Sequence, residues 1–137
     1  MVVSRKPEIT RQLWRWLPLL IWMGLIFWLS SQTRSEVPSF GVWDLLVKKG
    51  AHFLGYGLLA LLAYFAMAGE RSGSVEKRPF LIALLITILY AMSDEWHQRF
   101  VPTRNGTAVD VLIDSLGGIA ALAVLWGWLT YRLKNGR

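Results

Sequence analysis

The sequence contains no cysteine among its 137 residues. This absence excludes a disulfide framework, a thiolate metal site and a thiol nucleophile. Charged residues make up only 18% of the chain, whereas 54% of the residues are hydrophobic and eight are tryptophan. A soluble domain of this length cannot bury so much apolar surface, so the composition predicts a membrane protein.

The net charge of +6 does not indicate nucleic-acid binding, because the basic residues are scattered between apolar runs. They form neither a continuous stripe nor a recognisable nucleic-acid motif. The sequence also lacks an HExxH motif and a phosphatase-type signature. We therefore assign no cofactor and no metal from the sequence.

Four apolar segments have roughly the 20-residue length that a helix needs to cross a membrane. They lie near residues 13–31, 50–68, 79–98 and 109–131. The connections are short and no repeat is visible, so we expect a single domain over residues 1–137. The predicted fold class is an all-α integral membrane protein, a compact bundle of four transmembrane helices.

The distribution of basic residues predicts the orientation of the bundle. Ten of them lie at the amino terminus, in the second connection and in the carboxyl tail, and five lie in the first and third connections. The positive-inside rule then places both termini in the cytoplasm.

The same orientation gathers the unusual polar residues at the outer ends of the spans. Six of the nine acidic residues fall on that side. The third span has only thirteen largely apolar residues, Phe80–Met92, or about 20 Å of helix. We therefore expect Asp94, Glu95 and His97 to begin inside the membrane boundary and to face inward, since charges at that depth need partners or trapped water.

Helical spacing indicates which of these polar residues can meet. Residues three or four apart share a face, as Lys49, His52 and Tyr56 do in the second span and Asp110 and Asp114 do in the fourth. The predicted site consists of polar residues at the outer ends: Gln32, Lys49, His52, Tyr56, Asp94, Glu95, His97, Gln98, Arg104, Asp110 and Asp114.

Small residues follow the aspartates in the fourth span. Gly117, Gly118, Ala120 and Ala121 lie one to two turns beyond Asp114. Small side chains let a neighbouring helix approach closely, so we expect tight packing just beneath the polar residues.

Two stretches, "KGAHFLGYGLLA" and "SDEWHQRFVPTRNGTAVDVLIDSLGG", resemble the VanZ-like family of small bacterial membrane proteins. Its named member is associated with resistance to the glycopeptide teicoplanin. The resemblance covers about residues 13–125, and the family's pattern falls on Ser31, Gln32, Lys49, His52, Tyr56, Asp94, Glu95, Gln98, Pro102, Arg104, Asp110, Asp114 and Gly117. The chain departs from the pattern at Thr103, where Gly is frequent, and at Asp114, where Asn is common. The resemblance implies a multi-pass protein of the bacterial inner (cytoplasmic) membrane.

We expect the polar residues to form an outward-facing pocket that binds an anionic lipid headgroup or a lipid-linked cell-wall precursor, with Lys49 and Arg104 holding a phosphate. Such binding would link the protein to glycopeptide resistance or envelope homeostasis. The expected partners are membrane lipids and no nucleic acid, and a homo-oligomer is left open.

The residues leave three alternatives to this binding role. One is a membrane-embedded hydrolase or transferase acting on lipid-linked phosphate substrates, with His52, His97 and four carboxylates as general acid and base or as a site for a hard metal ion. A second is a polar cluster with a purely structural role. The third is a small transporter. The sequence does not decide whether the protein is an enzyme.

Overall fold

The computed structural model describes residues 8–33, 35–68 and 75–136. Within these residues the chain forms four long helices, α1 (Glu8–Ser30), α2 (Asp44–Met67), α3 (Lys77–Gln98) and α4 (Ala108–Asn135), with a short 3-10 helix at Gly41–Trp43. Each long helix is long and apolar enough to cross a membrane. The predicted all-α membrane fold is thus confirmed.

The side of the membrane on which the termini lie stays a prediction. Part of the charge count behind it falls outside the described residues, namely Arg5, Lys6, Arg34, Arg71 and Arg137.

Helix α2 begins at Asp44, earlier than the predicted start of the second span near Gly50. Asp44 lies in the first turn, where a carboxylate interacts favourably with the unpaired N–H groups of the helix. Lys48 Nζ lies 2.9 Å from Asp44 Oδ2 across one turn, which also supports the helix. Lys48 and its neighbour Lys49 therefore both belong to the early turns of α2, and Lys49 lies on the helix surface.

Helix α2 contacts each of the other three helices, and α4 also packs against α3. The approach of α2 and α4 is very close at Gly117, because a Cβ atom there would collide with the carbonyl oxygen of Phe53. Gly57 faces the same point from α2, where an added Cβ would lie 3.2 Å from the carbonyl oxygen of Gly117. The small residues of α4 thus pack closely against its neighbour.

Trp22 and Tyr90 are among the side chains that attach α1 to the rest of the bundle. The indole Nε1 of Trp22 donates to the carbonyl oxygen of Gly55 in α2 at 2.9 Å. The hydroxyl of Tyr90 in α3 donates to the carbonyl oxygen of Met23 at 2.6 Å. Polar tips of large aromatic side chains therefore fix the position of α1 between otherwise apolar surfaces.

Apolar side chains fill the middle of the bundle. Leu59 and Ala83 are fully buried there, and Tyr64 is 1% exposed. The outer surface, in contrast, exposes many large hydrophobic residues, such as Leu81 at 65% and Val124 at 73%. Water-soluble proteins rarely expose such continuous apolar surface, and a lipid bilayer would cover it. The chain is therefore a multi-pass membrane protein.

Candidate functional site

The ends of all four helices bring polar side chains together at one end of the bundle, termed the polar end. It comprises the last turn of α1, the early turns of α2 and α4, the last turn of α3, and the loop over residues 99–107. Three carboxylates at the polar end, Asp94, Glu95 and Asp114, are no more than 4% exposed and are termed the buried carboxylates.

Asp94 is held by three donors on one of its oxygens. Its Oδ2 accepts hydrogen bonds from Ser30 Oγ at 2.9 Å, from the Tyr56 hydroxyl at 3.0 Å and from Gln98 Nε2 at 3.2 Å. These donors belong to α1, α2 and α3, so a single carboxylate links three helices. Asp94 Oδ1 is buried with no hydrogen-bond partner among the described residues.

Glu95 is hydrogen-bonded on both oxygens. Gln98 Nε2 donates to Oε1 at 3.0 Å, and the backbone N–H of Thr107 donates to Oε2 at 3.0 Å. The loop approaches so closely that a Cβ atom at Gly106 would collide with the carbonyl oxygen of Glu95. The hydroxyl oxygen of Thr107 caps α4 by accepting from the N–H of Asp110 at 3.2 Å. The start of α4 is thereby tied to the end of α3.

His52 of α2 lies beside Asp114 of α4. His52 Nδ1 is 3.2 Å from Asp114 Oδ1, which is an ion pair when the imidazole is protonated. Neither carboxylate oxygen of Asp114 has a hydrogen-bond partner among the described residues, although Asp114 is 0% exposed. Burying a carboxylate costs on the order of several kcal/mol, and a protonated His52 beside Asp114 would offset part of this cost. Together with Glu95, this pair offers the donor atoms that a metal ion uses.

Lys49 and Asp110 form an ion pair close to the surface of the polar end. Lys49 Nζ lies 2.5 Å from Asp110 Oδ1, and their side chains are 35% and 27% exposed. The hydroxyl of Thr107 donates to the other oxygen of Asp110 at 2.6 Å. The face of α2 that carries Lys49 and His52 therefore meets the face of α4 that carries Asp110 and Asp114.

Arg104 holds the end of α1. Its Nε donates to the carbonyl oxygen of Gln32 at 2.8 Å, and its Nη2 donates to that of Leu29 at 3.1 Å. A cation is favourable at these carbonyls because the carboxyl end of a helix carries partial negative charge. Arg104 Nη1 also reaches Gln98 Oε1 at 3.4 Å, which connects it to the buried carboxylates. Gln32 contributes its backbone here, since its side chain donates to the carbonyl oxygen of Trp28 at 3.1 Å.

The loop after α1 adds an exposed negative charge. The backbone N–H and the hydroxyl of Thr33 donate to Glu36 Oε2 at 2.6 and 2.8 Å. These hydrogen bonds favour the ionised carboxylate and lower the pKa of Glu36.

His97 lies between α3 and α1. Its Nε2 is 3.1 Å from Ser31 Oγ, and its ring stacks on Phe27 with centroids 4.5 Å apart. These contacts attach α1 to α3, and a role of His97 in binding stays a prediction.

Among the described residues outside the predicted set, Ser30 and Thr107 donate to the buried carboxylates, and Gly106 packs against the backbone carbonyl of Glu95. Ser30 is a hydroxyl at the end of an apolar span, and Thr107 is a favoured N-cap residue just before α4. The residue types at these two positions could therefore have been recognised from the sequence. The contact of Gly106 depends on how the loop folds back, which local sequence does not specify.

The comparison with known proteins gives a match over most of the chain. The VanZ/LLP1 family matches residues 15–131. No curated protein and no solved structure matches the chain. The family match includes all the residues that form the polar end.

Proposed function

Because the chain belongs to the VanZ/LLP1 family and has four helices able to cross a membrane, we propose that its polar end binds an anionic lipid headgroup or a lipid-linked cell-wall precursor. The observation that carries this proposal is the layering of charge. The side chains of Lys48 and Lys49 are 33% and 35% exposed, whereas the buried carboxylates are no more than 4% exposed. Each lysine pairs with a carboxylate of similar exposure, Asp44 at 34% and Asp110 at 27%, so an approaching phosphate meets two ion pairs that lie outside the buried carboxylates.

The lysines can bind a phosphate without giving up their carboxylate partners. An ammonium group has three N–H donors. Lys48 and Lys49 each pair with one carboxylate oxygen and are still accessible from outside the bundle. Charge-assisted hydrogen bonds to phosphate are among the stronger ones in proteins. Lys48 and Lys49 thus each have N–H donors available for a headgroup at this end of the bundle.

Aromatic residues support placement of the polar end at the level of lipid headgroups. Trp43 is 64% exposed and Trp96 is 63% exposed, and both lie beside the polar residues of their helices. Tryptophan favours the boundary between hydrocarbon and water. The positive-inside count supports an outward-facing polar end in the inner membrane, where cell-wall precursors are exposed to glycopeptides. Resistance through altered access of the antibiotic follows as part of the proposal.

Two features disfavour the structural and transport alternatives. A purely structural cluster would be expected to satisfy its buried groups, whereas Asp114 has no hydrogen-bond partner among the described residues. A transporter needs a polar route through the bundle, and Leu59, Tyr64 and Ala83 fill its middle with apolar atoms and one aromatic ring.

The proposal is tested with two double variants, each of which replaces two basic residues at one end of the bundle. The double variant Lys48→Gln, Lys49→Gln should lose most of the phosphatidylglycerol that co-purifies in a mild detergent, as measured by native mass spectrometry. The matched control is Lys77→Gln, Arg78→Gln at the start of α3, whose side chains are exposed at the opposite end. The control should retain the lipid.

Equal lipid retention by the two double variants would contradict the proposal. The physiological consequence is measured as teicoplanin sensitivity of cells that express each variant at equal membrane levels. The wild type and the control should lower sensitivity more than the Lys48, Lys49 variant does.

A membrane-embedded hydrolase or transferase is the second candidate, and the pairing of His52 with Asp114 favours it. An imidazole beside a carboxylate is suited to general acid and base catalysis. Release of phosphate or headgroup from defined phospholipids by purified protein, and its loss in His52→Gln, would support this candidate over simple binding.

A further inference from the structure

We infer that His52, Glu95 and Asp114 form a binding site for one divalent cation that accepts mixed nitrogen and oxygen ligands, such as zinc. The three residues come from α2, α3 and α4. Each presents a ligand atom, and these atoms lie within 4.8 Å of one another. The inference concerns a metal and is independent of the proposed lipid binding.

The spacing of the three ligand atoms fits a common ion. Zinc–ligand distances of about 2.0–2.2 Å separate the nitrogen and oxygen ligands of a tetrahedral site by about 3.3–3.6 Å. The 3.2 Å between His52 Nδ1 and Asp114 Oδ1 is close to this separation, and a ligand atom of Glu95 lies within 4.8 Å of the other two residues' ligand atoms, so a small inward shift would place all three around one ion.

Asp114 provides an independent indication that something is bound. It is 0% exposed, and both of its carboxylate oxygens lack a hydrogen-bond partner among the described residues. His52 Nδ1 is buried and lacks one as well. Buried charges are normally paired or coordinate metals. A proton on His52 would compensate one carboxylate, whereas a divalent cation balances the charges of Asp114 and Glu95 together.

The hydrogen bonds to Glu95 and Asp94 differ and suit the two carboxylates to different roles. Gln98 and the Thr107 N–H each donate to one oxygen of Glu95, and a carboxylate oxygen has a second lone pair available for a metal. Such outer hydrogen bonds are typical of ligating carboxylates. Asp94 instead receives three donors on Oδ2 and lies outside the group of three.

The donor set determines the class of ion and the type of site. One imidazole nitrogen suits zinc, iron or nickel better than magnesium or calcium, which prefer oxygen ligands throughout. Three protein ligands leave a coordination position open, as in sites that bind water or a further ligand. His52 is 30% exposed, so the open position can be reached from the polar end.

The test measures bound metal directly. Protein purified in detergent, stripped with chelator, reloaded with zinc and desalted should contain about one zinc per chain by inductively coupled plasma mass spectrometry. Added zinc should also raise its melting temperature, and cobalt should give visible absorption bands from nitrogen and oxygen ligands. The variants Asp114→Asn, Glu95→Gln and His52→Gln should each weaken zinc binding at least about tenfold.

The matched control is Asp44→Asn, which makes the same chemical change at a partly exposed aspartate that pairs with Lys48. It should bind zinc like the wild type. The inference is overturned if folded wild-type protein binds less than about a tenth of an equivalent of zinc, or if the three ligand variants retain zinc as Asp44→Asn does. If Asp114→Asn fails to fold, the wild-type stoichiometry and His52→Gln still decide the outcome.

Discussion

The substitution Gly117→Ala tests the close packing of α2 and α4 beneath the polar end. A Cβ atom at position 117 would meet the carbonyl oxygen and carbon of Phe53, which are backbone atoms of α2. Backbone cannot move aside as a flexible side chain can. The two helices must therefore separate by on the order of 1 Å to restore ordinary van der Waals contact.

The expected magnitude is the difference between two effects. Overpacking costs about 1–3 kcal/mol, and the upper end applies here because a rigid helix must move. Replacing glycine by alanine inside a helix stabilises the helix by about 1 kcal/mol. The net loss is therefore about 2 kcal/mol of unfolding free energy, which lowers the melting temperature by roughly 5–10 °C for a chain of this size.

Gly127→Ala is the matched control in the same helix. An added Cβ at Gly127 meets no atom within 4 Å, so only the helix-propensity gain applies and the melting temperature should stay equal or rise. The assay heats both variants and wild type in the same detergent and follows the folded fraction by fluorescence-detected size-exclusion chromatography. A melting temperature of Gly117→Ala equal to or above that of Gly127→Ala would refute the reasoning.

Two further predictions concern Asp94 and the orientation of the bundle. Asp94→Ala removes the shared acceptor of Ser30, Tyr56 and Gln98 and should cost at least about 2 kcal/mol, while Asp94→Asn keeps an acceptor oxygen and should cost less in the same melting assay; equal losses would contradict a hydrogen-bonding role. Reporter fusions after Lys134 and near Val37 should report the cytoplasm and the opposite side, respectively, and an outside carboxyl terminus would overturn the predicted outward-facing polar end.

The helices could be predicted from the sequence because their signals are local. Apolar runs of sufficient length located four spans, and helical spacing placed Lys49 with His52 and Asp110 with Asp114 on common faces. The second span was predicted from about Gly50, and helix α2 itself begins at Asp44. Hydropathy alone places Lys48 and Lys49 outside the span, whereas the ion pair between Asp44 and Lys48 supports a helix that contains both lysines.

The partners of these faces could not be predicted in the same way. Which face of one helix meets which face of another depends on their rotation and depth, and hydropathy specifies neither. Thus Asp94 binds Ser30, 64 positions away, and His97 lies near Ser31. Arg104 was expected to hold a phosphate, and the structure shows it donating to backbone carbonyls at the end of α1. That expectation for Arg104 stays a prediction.

The glycines of α4 link the stability of the bundle to the geometry of its polar end. Phe53, the backbone contact of Gly117, directly follows His52, and Gly117 lies about one turn after Asp114. The separation of the two helix backbones at Gly117 therefore limits how far His52 can lie from Asp114. A larger residue at position 117 would widen that gap by on the order of 1 Å, which exceeds the tolerance of about 0.5 Å that a functional site allows. Close packing at this glycine thus has a positional consequence for the site as well as an energetic one.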